Sequence, residues 1–340
     1  MKNRQIVFIK KNVAQLMNVE YRRPSNDEVV VETAVSTVSC GTERANISGD
    51  PNVNGAANTI APFPRTSGYS SAGTVIETGK NVMSVKPGDR VVVYWGKHAK
   101  YNTVNERNVV KINSDLISFE EAAVSFIATF SLAAIRKSRL ELGESALVMG
   151  LGLLGQLAVN LLRTSGATPI IAADPVESRR SEAHLNGADY ALNPFDDDFS
   201  DKVKKYTGGG ANVGIEVTGV GAGFDEILDC MARFGRVSLL GCTRNKNFTI
   251  DYYKKIHFPG ITVIGAHTNA RPEFESHPGW FTHTDDIKTV LNLCAGKRLD
   301  LHKMIKETYA PEECPKVYDR LVTDKNFPVL VQFDWRNCNA

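Results

Sequence analysis

The chain has 340 residues, of which 42% are apolar and 23% are charged, and its formal net charge is +2. These values are typical of a globular protein of about two domains, and they give no reason to expect nucleic acid or an acidic membrane as a partner. No stretch approaches the roughly 20 apolar residues that span a bilayer, and the basic N-terminus is followed by an apolar run too short for a signal peptide. The six cysteines are scattered, which favours a reducing cytoplasm and argues against a four-cysteine structural zinc site.

The first 115 or so residues have a β-rich pattern. Residues 29–36 and 72–79 are rich in β-branched side chains and predict strands. Residues 86–90 contain Pro87 and Gly88, which predict a turn that leads into a strand at 91–94. Short strands with frequent glycine and proline between them predict a compact β-barrel-like domain.

An alternating pattern of helices and strands begins near Ser118, which is followed by two glutamates as at a helix N-terminus. A helix is predicted to about residue 139. Strands are predicted at 146–149, 169–174, 189–192, 213–217, 236–240 and 261–265. Helix-length segments separate the first five, as a doubly wound parallel sheet requires. We therefore expect an α/β protein with one domain at 118–267 and a discontinuous domain built from 1–117 and 268–340.

A glycine-rich loop follows the first of these strands and opens a helix. Its glycines are Gly150, Gly152 and Gly155, with Leu153 and Leu154 between them. This spacing permits a tight turn, close approach of a pyrophosphate and tight packing of helix on strand. Asp174 ends the next strand, where a carboxylate can accept hydrogen bonds from a ribose, so the sequence predicts NAD(H). NADP(H) stays open, because Arg179 and Arg180 follow closely and could offset the acidic charge.

An ordered set of motifs resembles the medium-chain dehydrogenase/reductase superfamily, the zinc alcohol dehydrogenase-like family. The set comprises Ser-Cys-Gly-Thr-Glu-Arg at 39–44, Gly-Tyr-Ser-Ser at 68–71, Val-Lys-Pro-Gly-Asp-Arg-Val at 85–91 and the glycine loop. The first two motifs look closest to the branch that includes bacteriochlorophyllide dehydrogenase-like proteins. The resemblance implies a GroES-like β-barrel catalytic domain, a six-stranded Rossmann domain and an active site in the cleft. It also implies a homodimer or homotetramer, and further cofactor contacts at Thr129, Thr218, Gly219, Gly241, Cys242, Ala266 and His267.

The family's zinc-ligand positions are changed in this sequence. Cys40 keeps the first ligand, Tyr69 stands for the histidine, and Ser70 stands for the glutamate. The distal ligand falls at Ser125 or Phe126, and residues 95–101 lack the cysteines of a structural zinc lobe. A catalytic zinc needs three ligands, so we expect no metal at this place.

Without zinc, protein groups must handle the substrate oxygen and its proton. Thr42 occupies the family's hydroxyl-relay position, and the phenol of Tyr69 could donate a hydrogen bond. The other candidates are Glu43, Lys97 and His98. Because the pKa of a histidine side chain lies closest to working pH, His98 is the best general base on chemistry alone. Three of these residues could instead have other roles. Tyr69 could fill the space that the metal would occupy, His98 could be a surface or structural histidine, and Glu43 could form a salt bridge with Arg44 or Arg65.

The sequence as a whole predicts a cytoplasmic, zinc-independent NAD(H) oxidoreductase that acts on a secondary alcohol or ketone, including a polyol or sugar. The alternatives are a reductase of activated C=C bonds, a zinc enzyme with rearranged ligands, and a non-catalytic cofactor-binding protein. The polar and aromatic loop at 268–284 is predicted to cover substrate or to contact a second subunit, with a plain surface excursion as its rival.

Overall fold

The computed structural model describes residues 2–50, 62–243, 245 and 247–339. In chain order the strands are β1 (Lys2–Lys10), β2 (Val13–Glu20), β3 (Glu28–Val38), β4 (Arg65–Thr66), β5 (Ser70–Thr78), β6 (Arg90–Tyr94), β7 (Tyr101–Asn105), β8 (Val109–Lys111), β9 (Ala146–Met149), β10 (Ile170–Ala173), β11 (Tyr190–Leu192), β12 (Ala211–Glu216), β13 (Met231–Leu239), β14 (Thr262–Gly265), β15 (Glu307–Tyr309) and β16 (Val331–Asp334). The α-helices are α1 (Cys40–Ser48), α2 (Phe119–Lys137), α3 (Leu153–Thr164), α4 (Glu177–Leu185), α5 (Phe199–Thr207), α6 (Gly221–Asp229), α7 (His283–Ala295) and α8 (Cys314–Thr323). Shorter helical turns lie at Glu106–Asn108, Tyr253–His257, His302–Met304 and Pro311–Glu313.

The chain forms two compact units. Unit 1 comprises Met1–Ile127 and Ile287–Ala340, and unit 2 comprises Ala128–Asp286. Both boundaries lie later in the chain than residues 117 and 267, where the sequence pattern placed them. The first lies inside α2, whose predicted start holds: Ser118 Oγ accepts the N–H of Glu121 at 3.2 Å, and the Glu121 carboxylate accepts the N–H of Ser118 at 3.1 Å.

Unit 1 contains two sheets. β2, β1 and β4 form a three-stranded sheet, and β15, β16, β3, β5, β6 and β8 form a larger one, in which β7 also pairs with β3. The long strand β3 reads Glu-Val-Val-Val-Glu-Thr-Ala-Val-Ser-Thr-Val, and nearly all of it is buried, as its β-branched residues favour.

The register of the larger sheet defines one edge of unit 1. Ser36 near the end of β3 pairs with Ser71, and Ser70 at the start of β5 pairs with Tyr94 at the end of β6. The segments that follow β3, precede β5 and follow β6 therefore emerge side by side. These segments contain the motif residues Cys40 to Glu43, Tyr69 and Trp95.

Unit 2 is built on a parallel sheet of order β11-β10-β9-β12-β13-β14, which confirms the doubly wound fold. Its register aligns Ala173, Met149, Glu216, Leu239 and Gly265 in one row at the carboxyl ends of β10, β9, β12, β13 and β14. The loops that follow these residues therefore share one edge of the sheet. Ligands of doubly wound sheets bind at this edge.

Two further observations concern the cysteines and the helices. All six cysteines are free thiols. Within the ranges that the structure describes, no helix combines the length and apolar character needed to cross a membrane.

Candidate functional site

The glycine loop lies between β9 and α3. Gly150 has φ +97°, and a Cβ on Gly155 would lie 1.9 Å from the carbonyl oxygen of Gly150, so the fold itself requires glycine at both positions. Gly152 differs, because an added Cβ there would meet no protein atom within 4 Å. Protein packing therefore leaves open space beside Gly152, directly before Leu153 and Leu154 at the start of α3.

Asp174 lies just after β10, and its side chain fixes the glycine loop. Oδ2 accepts the N–H of Leu151 at 2.8 Å, and Oδ1 accepts the N–H of Val176 at 2.9 Å. The residue is 3% exposed. Because a carboxylate offers about four lone-pair sites, further acceptor capacity remains for a ribose hydroxyl. Asp174 lies at the carboxyl-end edge of the sheet, as the sequence predicts. Its hydrogen bonds to the backbone of the glycine loop and of Val176 were not predicted.

Two arginines next to Asp174 have different surroundings. Arg179 Nη1 lies 3.5 Å from Oδ2 of Asp174, and its side chain is about one-third exposed. Arg180 donates to the backbone oxygens of Asp174 and Pro175 at 2.7 and 2.9 Å. Arg179 therefore partly neutralises the acidic charge, which weakens the electrostatic argument against a 2′-phosphate.

The loops after β12 and β13 touch each other at the same sheet edge. Gly219 has φ +66°, and a Cβ there would lie 2.5 Å from the carbonyl oxygen of Cys242, while a Cβ on Gly241 would lie 2.4 Å from the nitrogen of Gly219. Buried Glu216 holds the first loop through the N–H groups of Thr218 and Gly219 and the Thr218 hydroxyl. Burial raises the pKa of the Glu216 carboxyl.

The segment after β14 begins with Ala266 and His267. Ala266 is buried, while His267 is exposed and its Nδ1 accepts the N–H of Asn269 at 3.2 Å. Thr129 is fully buried in α2, and its carbonyl oxygen accepts a hydrogen bond from Arg271 at 3.2 Å. The structure thus brings Ala266 and His267 to the edge where the glycine loop lies.

In unit 1, the phenol of Tyr69 donates to Oγ of Ser39, the residue that precedes α1. The Tyr69 ring lies 5.6 Å from the ring of Trp95 and 5.9 Å from that of Phe126. Trp95 is 42% exposed and has φ +58°, and its N–H donates to the carbonyl oxygen of Tyr69 at 2.9 Å. An exposed aromatic side chain in a left-handed backbone conformation is unusual, and such strain is found mostly at functional sites.

His98 and Glu43 form a buried pair in the same unit. Nε2 of His98 lies 3.1 Å from Oε1 of Glu43, and Nδ1 lies 2.7 Å from Oγ of Ser36. The Glu43 carboxylate also accepts the N–H of Ser39 at 2.8 Å and the hydroxyl of Tyr318. Burial and Glu43 raise the pKa of Tyr318 well above its usual value.

This network corrects the catalytic assignment of His98 and Glu43. Both residues are about 1% exposed or less, and both nitrogens of His98 are bonded to protein groups. A general base must reach the proton that it takes, so this burial favours a structural role for the pair. Arg44, one of the two salt-bridge partners considered for Glu43, instead donates to the carbonyl oxygen of Leu321 at 2.7 Å.

The remaining candidates for proton transfer lie closer to the surface. Thr42 and Lys97 are exposed, and Tyr69 is half-buried. Of these, Tyr69 alone combines partial exposure with a defined hydrogen-bond partner for its side-chain hydroxyl.

The side chains at the family's zinc-ligand positions contact backbone groups. The sulfur of Cys40 lies 3.6 Å from the carbonyl oxygens of Pro328 and Val329. The hydroxyl of Ser70 donates to the carbonyl oxygen of Ala123 at 2.6 Å, and that of Ser125 donates to Ala122 at 2.6 Å. Across the described ranges, no three His, Cys, Asp or Glu side chains come together as a metal site would require.

Together, the doubly wound sheet with its glycine loop and the β-rich unit define a two-domain dehydrogenase of the alcohol dehydrogenase type. Residues 25–120 match the alcohol dehydrogenase GroES-like domain, and residues 154–281 match the zinc-binding dehydrogenase domain. The chain is 30% identical over 286 residues to L-threonine 3-dehydrogenase of Pyrococcus furiosus, with 74% of this chain and 79% of the relative covered. The chain therefore belongs to the zinc-binding dehydrogenase family of medium-chain dehydrogenases.

Two further proteins extend this comparison. D-guloside 3-dehydrogenase of Escherichia coli K12 is 26% identical over 296 residues, with 82% of this chain and 84% of the relative covered. The crystal structure of 2R,3R-butanediol dehydrogenase from Bacillus subtilis has a TM-score of 0.82 at 22% identity, covering 98% of this chain and 99% of the other, and it shows the shared fold. The predicted GroES-like and Rossmann architecture is confirmed, and the chain is an alcohol dehydrogenase-like oxidoreductase of an NAD(P)-dependent family.

The sequence analysis missed the polar partners Ser36, Ser39, Tyr318 and Trp335. Trp335 Nε1 donates to Oγ of Ser36 at 2.8 Å, which extends the His98 network. Tyr318 and Trp335 lie more than 200 residues from Glu43 and Ser36 in the chain. No local spacing signals such a contact. Ser39 could have been recognised as the residue before a helix, a position that serine favours, although its side chain makes no capping hydrogen bond here.

Proposed function

We propose that this protein is a zinc-independent, NAD(H)-dependent oxidoreductase that interconverts a secondary alcohol and its ketone. The observation that supports this most directly is the phenol of Tyr69, held by Ser39 where the family resemblance places a zinc ligand. Zinc independence is supported by the side chains at the ligand positions, which contact backbone carbonyl oxygens.

Unit 2 supplies the cofactor site of this proposal. Gly152 leaves room for a pyrophosphate at the start of α3, and Asp174 is positioned to accept a ribose hydroxyl. When bound, the nicotinamide supplies the hydride chemistry. NAD(H) is the proposed cofactor. NADP(H) is the alternative, because Arg179 partly neutralises the Asp174 carboxylate that would repel a 2′-phosphate.

Unit 1 supplies the proton-transfer groups. A tyrosine hydroxyl has one hydrogen and can accept as well as donate. With its hydrogen directed to Ser39, the Tyr69 oxygen can accept a hydrogen bond from an alcohol. With the Ser39 hydroxyl rotated to donate to Tyr69, the phenol can donate its hydrogen to a carbonyl oxygen. The pair can thus stabilise either the alcohol or the ketone, with Thr42 as a second hydroxyl nearby in sequence.

A hydroxylated substrate of polyol or sugar type fits this site best. The exposed indole face of Trp95 next to Tyr69 offers a surface on which the C–H groups of such a molecule could pack. Relatives named as dehydrogenases of L-threonine and of a D-guloside at position 3 act on secondary alcohols. The narrower resemblance to the bacteriochlorophyllide dehydrogenase-like branch stays a prediction and implies no substrate.

The test is a panel of secondary alcohols, linear polyols, glycosides, ketones and enones, each assayed with NAD(H) and NADP(H). Turnover of alcohols and ketones supports the proposal, and exclusive turnover of enones identifies a C=C reductase, which needs no alcohol base. NADH binding without turnover on any substrate identifies a non-catalytic cofactor-binding protein. We further propose a cytoplasmic location and dimerisation through β14, which is an edge strand of its sheet.

A further inference from the structure

Three cationic side chains of unit 2 are linked to the region that follows β14, directly or through Asp286. Arg136 and Lys137 end α2, and Arg271 lies six residues after Gly265. Arg136 and Arg271 pair with the two oxygens of Asp286 at 2.7 and 3.0 Å. Lys137 differs, because its ammonium contacts backbone carbonyls rather than a carboxylate.

The ammonium of Lys137 connects both ends of a short turn. It donates to the carbonyl oxygen of Ala270 at 2.5 Å, and it lies 3.5 Å from that of Gly265, the last residue of β14. It also lies 4.7 Å from the ring centre of Trp280, where a cation–π contact is favourable. The residue is 6% exposed, so little water is available to replace these contacts.

The turn has internal hydrogen bonds that depend on its ends being close. The N–H of Ala270 donates to the carbonyl oxygen of His267 at 2.9 Å, and the N–H of Asn269 donates to its Nδ1 at 3.2 Å. Arg271 adds a bond from Nε to the carbonyl oxygen of Thr268 at 2.9 Å. The contacts of Lys137 and Arg271 therefore hold the turn at residues 266–270 in its conformation.

The turn lies at the edge of the sheet where the proposed cofactor would bind. Doubly wound sheets bind one mononucleotide on each half. Asp174 lies in the half that contains β10, so the nicotinamide half of a dinucleotide belongs to the half with β12, β13 and β14. The row from Met149 to Gly265 places residues 266–270 at that edge.

We propose that Lys137 is a positioning residue that holds the turn at residues 266–270 in the shape that receives the nicotinamide half of the cofactor. This inference rests on the proposed cofactor site. Its energetic basis is that hydrogen bonds from a charged donor are about twice as strong as neutral ones.

The protonation of Lys137 links this contact to pH. Burial, with the neighbouring Arg271, lowers the pKa of Lys137 to about 8, while the charge of Asp286 opposes this shift. His283 also faces Arg271, and burial lowers its pKa to about 3, so it stays neutral across the range of interest. Below pH 8 the ammonium holds the turn with charged bonds, and above it the neutral amine holds it less tightly. Affinity for NADH should therefore fall as pH rises through 8.

The experiment compares wild type with Lys137→Met and Lys137→Arg by NADH fluorescence titration between pH 7 and 9. We expect Lys137→Met to raise the Kd for NADH about fivefold at pH 7, and wild type to weaken about two- to threefold between pH 7 and 9. Lys137→Arg keeps the charge, so its Kd should be independent of pH in this range. Hydrogen exchange of residues 266–270 should accelerate in Lys137→Met.

Lys100→Met is the matched control. Lys100 is also 6% exposed, and its ammonium donates to the carbonyl oxygens of Trp335 and Arg336 at 2.9 and 3.5 Å. It differs from Lys137 in that it also pairs with Oε1 of Glu32 at 3.1 Å, and it lies in unit 1. A general cost of removing a buried lysine would appear in both variants, whereas an altered NADH affinity should appear only in Lys137→Met. Equal NADH affinity of wild type and Lys137→Met, at all pH values, would overturn the inference. Absence of NADH binding in wild type would instead refute the proposed function.

Discussion

Nε2 of His98 lies 3.1 Å from Oε1 of Glu43, and neither side chain has appreciable access to solvent. Oγ of Ser36 accepts the indole N–H of Trp335, so its own hydrogen is available to Nδ1 of His98. Nε2 then has the hydrogen that it donates to the Glu43 carboxylate. Every polar group of this pair thus has a partner within unit 1, which is how a buried charge becomes tolerable.

The first prediction concerns the stability of this network. Replacing His98 by Ala removes a bonding partner from a buried carboxylate and leaves a cavity, so unfolding should become easier by about 3–5 kcal/mol. Chemical denaturation measures this change. His302, which is exposed in the same unit, provides the control, since His302→Ala should change stability by less than about 0.5 kcal/mol. Wild-type stability of His98→Ala combined with lost turnover would restore His98 as a catalytic base.

The second prediction concerns Tyr69. Tyr69→Phe removes the phenol hydroxyl but keeps the ring against Trp95 and Phe126. We expect kcat to fall more than about tenfold, as for loss of an acid–base group, while the Kd for NADH stays unchanged. Tyr94→Phe is the control, because the Tyr94 hydroxyl donates to the carbonyl oxygen of Arg107 beside the same Phe126 ring. A wild-type kcat for Tyr69→Phe would remove the phenol from the mechanism.

The third prediction concerns cofactor choice. Asp174→Ser removes the carboxylate that a ribose hydroxyl would use and that would repel a 2′-phosphate. The Kd for NADH should rise about tenfold or more, and the preference for NADH over NADPH should shrink or reverse. Fluorescence titration with both cofactors measures this ratio.

Asp189→Ser controls for the structural task of Asp174. The Asp189 carboxylate accepts the N–H of Ile170 at 2.7 Å and so holds the opposite end of β10. This variant should lose some stability but keep the wild-type cofactor ratio. An unchanged ratio in Asp174→Ser would show that this carboxylate serves the loop alone.

The fourth prediction concerns Trp95 as a surface for the substrate. Trp95→Ala should raise the KM for hydroxylated substrates about five- to tenfold, because about 1 kcal/mol of aromatic packing is lost. Trp95→Phe keeps an aromatic face and should recover most of this loss. Steady-state kinetics at saturating NAD⁺ separate this effect from cofactor binding. If KM is the same in all three proteins, the indole does not contact substrate.

Local sequence patterns predicted much of the fold. The strands at 146–149 and 261–265, the start of α2 and the glycine loop were found because hydrophobic periodicity, a helix cap and glycine spacing are properties of a few adjacent residues. The domain boundaries at 117 and 267 stay a prediction, since the chain passes between the two compact units inside the helices α2 and α7.

The side-chain contacts of the site were harder to predict. Tyr318 binds Glu43 from 275 residues away, and a fully buried histidine looks the same in sequence as an accessible one. The pKa of a free imidazole made His98 the preferred base, whereas burial depends on how β3, β16 and α8 pack around it. The hydrogen bond from the N–H of Leu151 to the Asp174 carboxylate was not predicted either, because it depends on how the folded chain packs.

The measurement that tests the central claim most directly is turnover as a function of bound metal. Purified, tag-free protein is treated with a chelator until it holds less than about 0.1 zinc per chain, and alcohol oxidation with NAD⁺ is then assayed before and after zinc is restored. The Tyr69 site predicts the same kcat in both samples. Activity that disappears with the metal and returns in proportion to bound zinc would contradict the account.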